Sequence, residues 1–180
     1  MSCRDPQTPY SRHRLDLGES RIKKLVRLLR DERPGCLLDI GCAGGELAAY
    51  FADIGWKVKG LEREEALVEL AERRGITVRC ADFDRDAFPW PPATFDAVVA
   101  GEVIEHVIDT DHLLCEIAKV LRPGGILVIT TPNLASFENR IRLLFGRYPM
   151  WMDCRLQGTG HLRYYTPPVL RCQLEQHGFR

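Results

Sequence analysis

The chain has 180 residues, 45% of them apolar and 28% charged, which predicts one soluble globular domain with a single core. Its 25 basic and 25 acidic residues balance, so no global field attracts nucleic acid or an anionic membrane. No apolar run approaches the roughly 20 residues of a membrane span, and the polar residues 1–14 predict no secretory signal.

Seven cysteines are scattered along the chain, and no two have the C-x-x-C spacing of a zinc or redox site. Several lie in apolar segments, where cysteine packs as a small hydrophobic residue. Because an odd number argues against a complete disulfide framework, we expect a reducing, cytoplasmic location.

The first predicted elements are a tail and an amphipathic helix. Residues 1–18 have no steady period and are predicted to form an N-terminal tail, followed by one domain over 19–180. Over residues 19–32, apolar side chains such as Leu25 and Leu29 recur at helical spacing. The basic residues between them are expected on a solvated face.

Strand and helix signals then alternate. Short apolar runs bounded by turn residues predict five strands, at 36–40, 56–61, 76–80, 95–100 and 126–131. Helical spacing predicts helices between them, around 47–52, 66–71 and 113–121. The order predicts an α/β fold, a Rossmann-like, doubly wound and mostly parallel sheet with helices on both faces.

The last part of the chain departs from this alternation. Residues 132–160 carry apolar side chains at helical spacing with arginines between them. Residues 161–165 are predicted to be extended. Thr166 is expected to cap a final helix that has Pro167 at its first position.

Ligands of open parallel sheets bind at the carboxyl ends of the strands. After the first predicted strand comes Gly41-Cys42-Ala43-Gly44-Gly45, whose small residues allow a tight turn and a close approach to a ligand. After the second stands Glu62, which can accept hydrogen bonds from both ribose hydroxyls of a nucleotide. A purely structural strand-to-helix turn remains an alternative for the glycines.

Two more strand ends carry acidic residues. Asp82 and Phe83 follow the third strand, where a carboxylate can receive the adenine amino group while the aromatic ring stacks on the base. Gly101 and Glu102 follow the fourth. Taken alone, each of these acidic residues could cap a helix or carry a solvated charge. Together, at successive strand ends, they predict a pocket for an adenosine without phosphates.

Phosphate-binding folds fit the turn less well. No Walker lysine follows the glycines, so a P-loop is excluded. The dinucleotide fingerprint G-x-G-x-x-G would place Ala43 and Glu46 at its second and third glycines, and an acidic Glu46 is unfavourable beside a pyrophosphate.

The chain resembles the class I S-adenosylmethionine-dependent methyltransferases, in the broad group that includes the ubiquinone-pathway O-methyltransferases. The similar stretches run in the expected order between residues 22 and 133. They are Leu38-Asp39-Ile40-Gly41-Cys42-Ala43-Gly44-Gly45, Glu62, Ala81-Asp82, Phe95-Asp96-Ala97-Val98, Glu105-His106-Val107, Leu121-Arg122-Pro123-Gly124-Gly125 and Thr130-Thr131-Pro132-Asn133.

The resemblance implies S-adenosylmethionine as cofactor and assigns a role to each strand end. Asp39 would support the turn and the cofactor amino group, while residues 41–45 would contact its methionine and ribose parts. Glu62 would hold the ribose hydroxyls. The remaining implied contacts are Asp82 and Phe83 around adenine, and Gly101 and Glu102 at the methionyl end. Ala43 replaces the middle glycine, which is tolerable if its φ stays negative.

Methyl transfer needs alignment of the two reactants and, for a hydroxyl acceptor, removal of a proton. Glu105 and His106 follow the fourth strand, and His106 is the candidate base or acceptor-orienting group; capping of the next helix is the alternative for this pair. The spacing of Glu102, Glu105 and His106 would place all three on one face of a first helical turn. It resembles that of RNA-end 2′-O-methyltransferases and some quinone O-methyltransferases that bind a divalent metal, with His161 as a further ligand.

Residues 132–160 are predicted to form a lid on the acceptor side of the site. Its arginines would suit an acidic acceptor and its aromatics an apolar one, although an amphipathic helix with one wet face is the alternative. These residues are Arg140, Arg142, Arg147, Phe145, Tyr148 and Trp151.

We expect methyl transfer to a small-molecule acceptor at oxygen, with neither nucleic acid nor membrane as partner. Two alternatives stay open: a non-catalytic module that binds S-adenosylmethionine, and a metal-dependent RNA-end 2′-O-methyltransferase. Relatives carry an antiparallel strand pair after a corner like Gly178-Phe179, and that pair is expected to be missing here. The exposed sheet edge would then allow an oligomer to form.

Overall fold

A computed structural model describes Asp16, residues 18–150 and residues 160–180 of the chain. The predicted tail 1–18 therefore lies outside the described residues, apart from Asp16 and Gly18. The strands are β1 (Cys36–Ile40), β2 (Lys57–Glu62), β3 (Thr77–Cys80), β4 (Phe95–Gly101) and β5 (Leu121–Thr130). The α-helices are α1 (Ser20–Arg30), α2 (Glu46–Asp53), α3 (Glu65–Arg73), α4 (Thr110–Val120), α5 (Phe137–Leu144) and α6 (Pro167–Gln176).

The five strands form one sheet in the order β3-β2-β1-β4-β5, and all four pairings are parallel. The strand order reverses between β1 and β4, which is where ligands of doubly wound sheets bind. This arrangement confirms the predicted Rossmann-like fold. Within the described part of the chain, no strand pairs with the outer edge of β5.

Helices cover both faces of the sheet because alternate strand residues point to opposite sides. On one face, Leu37 and Val99 pack with Leu25 and Leu29 of α1 and with Phe51 of α2. The other face carries a second cluster that includes side chains from α4 and, at its margin, from α6. Its members include Leu38, Ile40, Val98, Ala100, Leu113, Leu114, Ile117 and Leu170.

The structure departs from the sequence prediction at three elements. β5 begins at Leu121 rather than after Gly125, because Leu121 pairs with Phe95 before the register shifts and Ile126 pairs with Ala97. Thr166 stands at the N-cap of α6 but its side chain makes no capping hydrogen bond, whereas Pro167 begins the helix as predicted. The segment 161–165 forms only a single bridge, between Asn133 and Tyr165.

The helix α5 has its polar side inward, contrary to the expected buried apolar stripe. Its one buried residue is Asn139, whose side-chain oxygen accepts a hydrogen bond from the Met150 backbone N–H and whose amide donates to the Asn133 carbonyl. Phe137 is 80% exposed and Leu144 75% exposed. Asn139 thus anchors the helix through hydrogen bonds.

The five cysteines among the described residues, Cys36, Cys42, Cys80, Cys115 and Cys172, have free thiols. Among the same residues, every helix is too short or too polar to cross a membrane.

Candidate active site

A cavity of about 1290 Å³ opens at the carboxyl ends of β1, β2 and β4. It is somewhat larger than the roughly 300–1,000 Å³ of most small-molecule sites, so it has room for two reactants. Its lining includes nine of the twelve residues expected to act in the site. They are Asp39, Gly41, Cys42, Ala43, Glu62, Phe83, Gly101, Glu102 and His106.

The turn after β1 depends on backbone conformations that favour glycine. Gly41 has φ +65°, and a Cβ atom there would lie 2.7 Å from Cγ2 of Val103. Ala43 has φ +47°, so a negative φ, the condition under which alanine would be tolerated here without strain, is not met. The N–H of Ala43 donates to Oε2 of Glu62 at 2.9 Å, which holds this residue in the left-handed region.

Glu62 at the end of β2 is buried, and its carboxylate is surrounded by backbone donors. Besides the bond from Ala43, its Oε1 accepts hydrogen bonds from the N–H groups of Arg63 at 2.8 Å and Glu64 at 3.2 Å. These bonds fix the carboxylate at the cavity wall. Each carboxylate oxygen has two lone pairs, so acceptor capacity remains for a ligand hydroxyl.

Asp39 lies on the cavity floor and is only 3% exposed. Its Oδ2 atom is buried and accepts no hydrogen bond from any described residue. Burial, reinforced by the negative charge of Glu62, raises the pKa of Asp39 to about 7. An unpartnered carboxyl oxygen at this depth calls for a hydrogen-bond donor or a cation from the ligand.

The remaining residues of the turn have different roles. Cys42 lines the cavity, but burial raises the pKa of its thiol well above the usual range, so it is not a nucleophile. Gly45 lies outside the cavity. With φ +81° and a virtual Cβ 2.8 Å from the Cβ of Ala71, it allows α2 to begin close against α3.

Asp82 is also outside the main cavity. It lines a second cavity of about 650 Å³, which shares Arg63 and Glu64 with the first. Its Oδ1 accepts a hydrogen bond from the Asp84 N–H at 3.1 Å. Phe83 lines the main cavity instead. Contact of either residue with adenine stays a prediction.

Glu102 occupies a strained position after β4. It has φ +58°, and its N–H donates to the Thr130 carbonyl at 3.0 Å. Its Oε1 accepts a hydrogen bond from Oγ1 of Thr130 at 2.9 Å and lies 3.8 Å from Nη1 of Arg21. Arg21 therefore lines the cavity from α1, which sequence reasoning missed by assigning every basic residue of that helix to a solvated face.

The next residues, Ile104–His106, form a 3₁₀ turn rather than the first turn of an α-helix. Glu105 is fully buried, and its carboxylate meets no donor of a described residue at standard hydrogen-bonding geometry. The Thr131 side chain and its own backbone N–H lie near enough to favour its charged form. Burial raises the pKa of Glu105 to about 7. The expectation that Glu102, Glu105 and His106 share one helical face is wrong, because the backbone of Glu102 is left-handed.

His106 lines the cavity in a defined tautomer. Its Nδ1 lies 3.2 Å from the Gly160 carbonyl, and because a carbonyl only accepts, Nδ1 carries the proton. Nε2 therefore keeps its lone pair. Burial lowers the pKa of His106, which favours the neutral ring at neutral pH.

His161 completes a cluster with the two residues of the 3₁₀ turn. Its ring lies edge-on to that of His106 with centroids 4.7 Å apart. Ligand atoms of Glu105, His106 and His161 lie within 4.8 Å of one another. Two imidazoles and a carboxylate are ligand groups that suit a divalent transition metal or zinc.

The acceptor side differs from the predicted lid. Phe145 is 71% exposed and Tyr148 63% exposed, and neither lines the cavity. Arg140 donates to the Ala135 carbonyl and Arg142 to Glu138, while Trp151 lies outside the described residues. Residues 132–150 instead contribute mostly small or polar side chains to the lining, together with the apolar Met150. The others are Pro132, Asn133, Ser136, Glu138 and Asn139.

Comparison with known proteins gives one consistent family. Residues 11–180 match the methyltransferase domain family. The human mitochondrial ubiquinone biosynthesis O-methyltransferase is 31% identical over 169 residues, which cover 86% of this chain and 45% of that protein. The ubiquinone biosynthesis O-methyltransferase of Parvibaculum lavamentivorans is 36% identical over 150 residues, or 79% of this chain and 57% of that protein.

Solved structures support the fold. An S-adenosylmethionine-dependent methyltransferase from Archaeoglobus fulgidus has a TM-score of 0.69 at 23% identity, covering 91% of this chain and 71% of that one. The chain spans about half the length of the curated relatives it matches, 45% and 57% for the two above.

Proposed function

This chain belongs to the class I S-adenosylmethionine-dependent methyltransferases, and we propose that it transfers the methyl group of S-adenosylmethionine to a hydroxyl oxygen of a small-molecule acceptor. The observation that carries the proposal is the unpartnered Oδ2 atom of Asp39 beside Glu62 in the cavity. The acceptor oxygens and negative charge of these two carboxylates suit a ligand that has hydroxyl donors and a positive charge. S-adenosylmethionine offers a ribose diol, an ammonium and a sulfonium.

The residues of the cavity fit this cofactor along its length. Phe83 would stack on adenine, and Glu62 would accept the ribose hydroxyls with the oxygen capacity left by its three backbone donors. Asp39 and Glu102 would face the cationic amino-acid end. Arg21, 3.8 Å from Glu102, would hold the carboxylate of that end.

On the acceptor side, His106 would act as the general base. Its Nδ1–H is held by the Gly160 carbonyl, so Nε2 is free to take the proton of an acceptor hydroxyl as the oxygen attacks the methyl carbon. The S–CH₃ bond breaks as the O–CH₃ bond forms, and the sulfonium becomes a neutral thioether. The lowered pKa of His106 keeps the ring unprotonated for this step.

A divalent metal is the alternative on the same side, where Glu105, His106 and His161 would hold it. In that case Nε2 of His106 would be a metal ligand and not the base, because its Nδ1 is bound to the Gly160 carbonyl. When bound, the ion would lower the pKa of a coordinated acceptor hydroxyl and orient it. Oxygen as the accepting atom is supported by the relatives named as ubiquinone biosynthesis O-methyltransferases. The metal-dependent RNA-end 2′-O-methyltransferase remains a second candidate, which this donor cluster favours. The free thiols suit a reducing compartment, so the cytoplasm remains part of the proposal.

The first experiment is calorimetry with S-adenosylmethionine and S-adenosylhomocysteine. Binding of either supports the cofactor assignment, and no binding at millimolar concentration of both refutes it. The second measures S-adenosylhomocysteine formation with catechol and Mg²⁺ or Zn²⁺ as probe acceptor and metals. His106→Gln should abolish turnover, whereas His112→Gln, a histidine whose ring contacts the Asp86 carbonyl away from the site, should not. Binding without turnover of any hydroxylated acceptor or RNA end would favour the non-catalytic module.

A further inference from the structure

The turn that carries Glu105 and His106 is held by a segment from far along the chain. This segment, Gly160 to Arg163, runs beside the 3₁₀ turn and meets it through both backbone and side-chain bonds. The Leu162 N–H donates to the Glu105 carbonyl at 2.7 Å, and the Arg163 N–H donates to the same oxygen at 3.3 Å.

The Arg163 side chain extends this contact past the turn. Its Nε donates to the Val107 carbonyl at 3.3 Å, and its Nη2 donates to the Ile108 carbonyl. A guanidinium can bridge two successive carbonyls because its donors are fixed in one planar fork. The carbonyls of residues that follow a helical turn, here Val107 and Ile108, have no hydrogen-bond donor within the turn. They need a donor from another part of the chain.

The other end of the segment reaches the catalytic side chain. Gly160 accepts the Nδ1–H of His106, so the position of its carbonyl fixes both the tautomer and the direction of Nε2. His161, between these contacts, stands edge-on to the His106 ring. The segment therefore contacts the turn at Glu105, His106, Val107 and Ile108 in succession.

The segment is itself anchored on its far side. Tyr165 is buried, its carbonyl accepts the Leu134 N–H at 2.8 Å, and its hydroxyl donates to Gln173 at 3.0 Å. Gln173 in turn donates to Thr110 at the start of α4. Arg163 thus links an anchored segment to the turn. It does not itself line the cavity, and it reaches the lining only through the backbone carbonyl of Val107.

We propose that Arg163 is a positioning residue that sets the placement of the Glu105–His106 pair relative to the bound methyl donor. The inference rests on the proposed methyl transfer, but the placement of the turn can be measured without it. Loss of the guanidinium would release the Val107 and Ile108 carbonyls and loosen the turn. The glycine turn and Glu62, which bind the cofactor, would be unaffected.

The test compares wild type with Arg163→Gln, Arg163→Lys and the control Arg171→Gln. Arg171 is an exposed arginine of α6 that makes no hydrogen bond or ion pair within the described residues. In Arg163→Gln, amide hydrogen exchange in peptides covering 104–108 should rise about tenfold, while peptides covering 39–46 stay unchanged. The dissociation constant of S-adenosylmethionine should stay within about twofold and kcat with catechol should fall about tenfold, with partial recovery in Arg163→Lys.

Unchanged exchange over 104–108 in Arg163→Gln would overturn the proposal. So would a parallel loss of melting temperature and cofactor affinity, since that marks a general structural role. If wild type does not bind S-adenosylmethionine, the proposed function fails, and the exchange comparison alone decides whether Arg163 holds the turn. If Arg163→Gln does not fold, Arg163→Lys takes its place, and faster exchange supports the proposal while wild-type exchange refutes it.

Discussion

The backbone N–H of Ala43 donates a hydrogen bond to Oε2 of Glu62 across 2.9 Å, so the turn after β1 and the carboxylate after β2 act as one unit. The same carboxylate also accepts from two N–H groups that follow β2. A change at either partner should therefore alter both the stability of the turn and the affinity for the cofactor.

Glu62→Gln should lower the affinity for S-adenosylmethionine at least tenfold and lower the free energy of unfolding. The amide group would place an N–H donor against backbone donors, at a cost of about 1–3 kcal/mol for a buried mismatched group. Calorimetry and urea denaturation measure the two effects. Glu69→Gln is the control, because the Glu69 side chain is 68% exposed and pairs only with Arg73. If Glu62→Gln and Glu69→Gln had the same affinity and the same free energy of unfolding, Glu62 would not have the proposed role in cofactor binding.

Ala43→Gly should stabilise the protein by about 1 kcal/mol, because glycine adopts the φ of +47° without the strain that alanine carries. Ala52→Gly, at an exposed position in α2, should have the opposite sign, at a cost of about 1 kcal/mol. Urea denaturation of the two variants checks the contrast. A loss of stability in both would contradict the strain assigned to Ala43, since glycine keeps the backbone N–H that donates to Glu62.

Asp39→Asn should flatten the dependence of stability on pH. The pKa of Asp39 is raised to about 7 in the folded protein, above its unfolded value of about 3.9, so the folded state binds the extra proton between these limits. Stability from this group is therefore present at low pH and is lost as pH rises through about 7. Unfolding free energies at pH 5 and pH 8 should differ less in Asp39→Asn than in wild type, and an equal difference would argue against a buried carboxyl.

Arg21→Gln should weaken the binding of S-adenosylmethionine more than that of methylthioadenosine, which lacks the amino-acid end. The expected difference is about tenfold, from loss of one charged hydrogen-bonding partner. Arg27→Gln, an exposed position of the same helix, should leave both affinities unchanged. If Arg21→Gln weakened the binding of both ligands equally, Arg21 would not contact the carboxylate of the cofactor's amino-acid end.

Removal of a bound divalent ion should stop methyl transfer if Glu105, His106 and His161 hold it. His161→Gln should lower the affinity for Zn²⁺ about tenfold or more, through loss of one of three ligands, and His112→Gln should not change it. Metal titration calorimetry measures affinity, and turnover after dialysis against a chelator tests dependence. Full activity after chelation would leave His106 as the base without metal assistance.

The sheet and the main carboxylates could be predicted from the sequence because both follow from local pattern. Apolar runs alternating with helical spacing predict parallel strands buried on both faces, and the five strands do form one parallel sheet. Asp39 and Glu62 could be assigned to one cavity because carboxyl ends of adjacent parallel strands converge.

The rest depends on contacts between distant residues. The positive φ of Ala43 and Glu102 follows from bonds to Glu62 and to the Thr130 carbonyl, which no local pattern predicts. Arg21 has the same local pattern as its exposed neighbours on α1. The pairing of His161 with His106 needs the anchored segment around Tyr165, so spacing along the chain could suggest the contact but not its geometry.

The order of residues along the chain also separates the two halves of the cavity. The proposed methyl-donor contacts Arg21, Asp39, Glu62 and Phe83 precede β5, as does His106. The lining residues of the section between Pro132 and Met150 follow it. Substitution in the later part leaves the earlier contacts in place. We therefore expect residue 132 to be a suitable junction for chimeric enzymes that join the proposed methyl-donor contacts of this chain to a different acceptor lining.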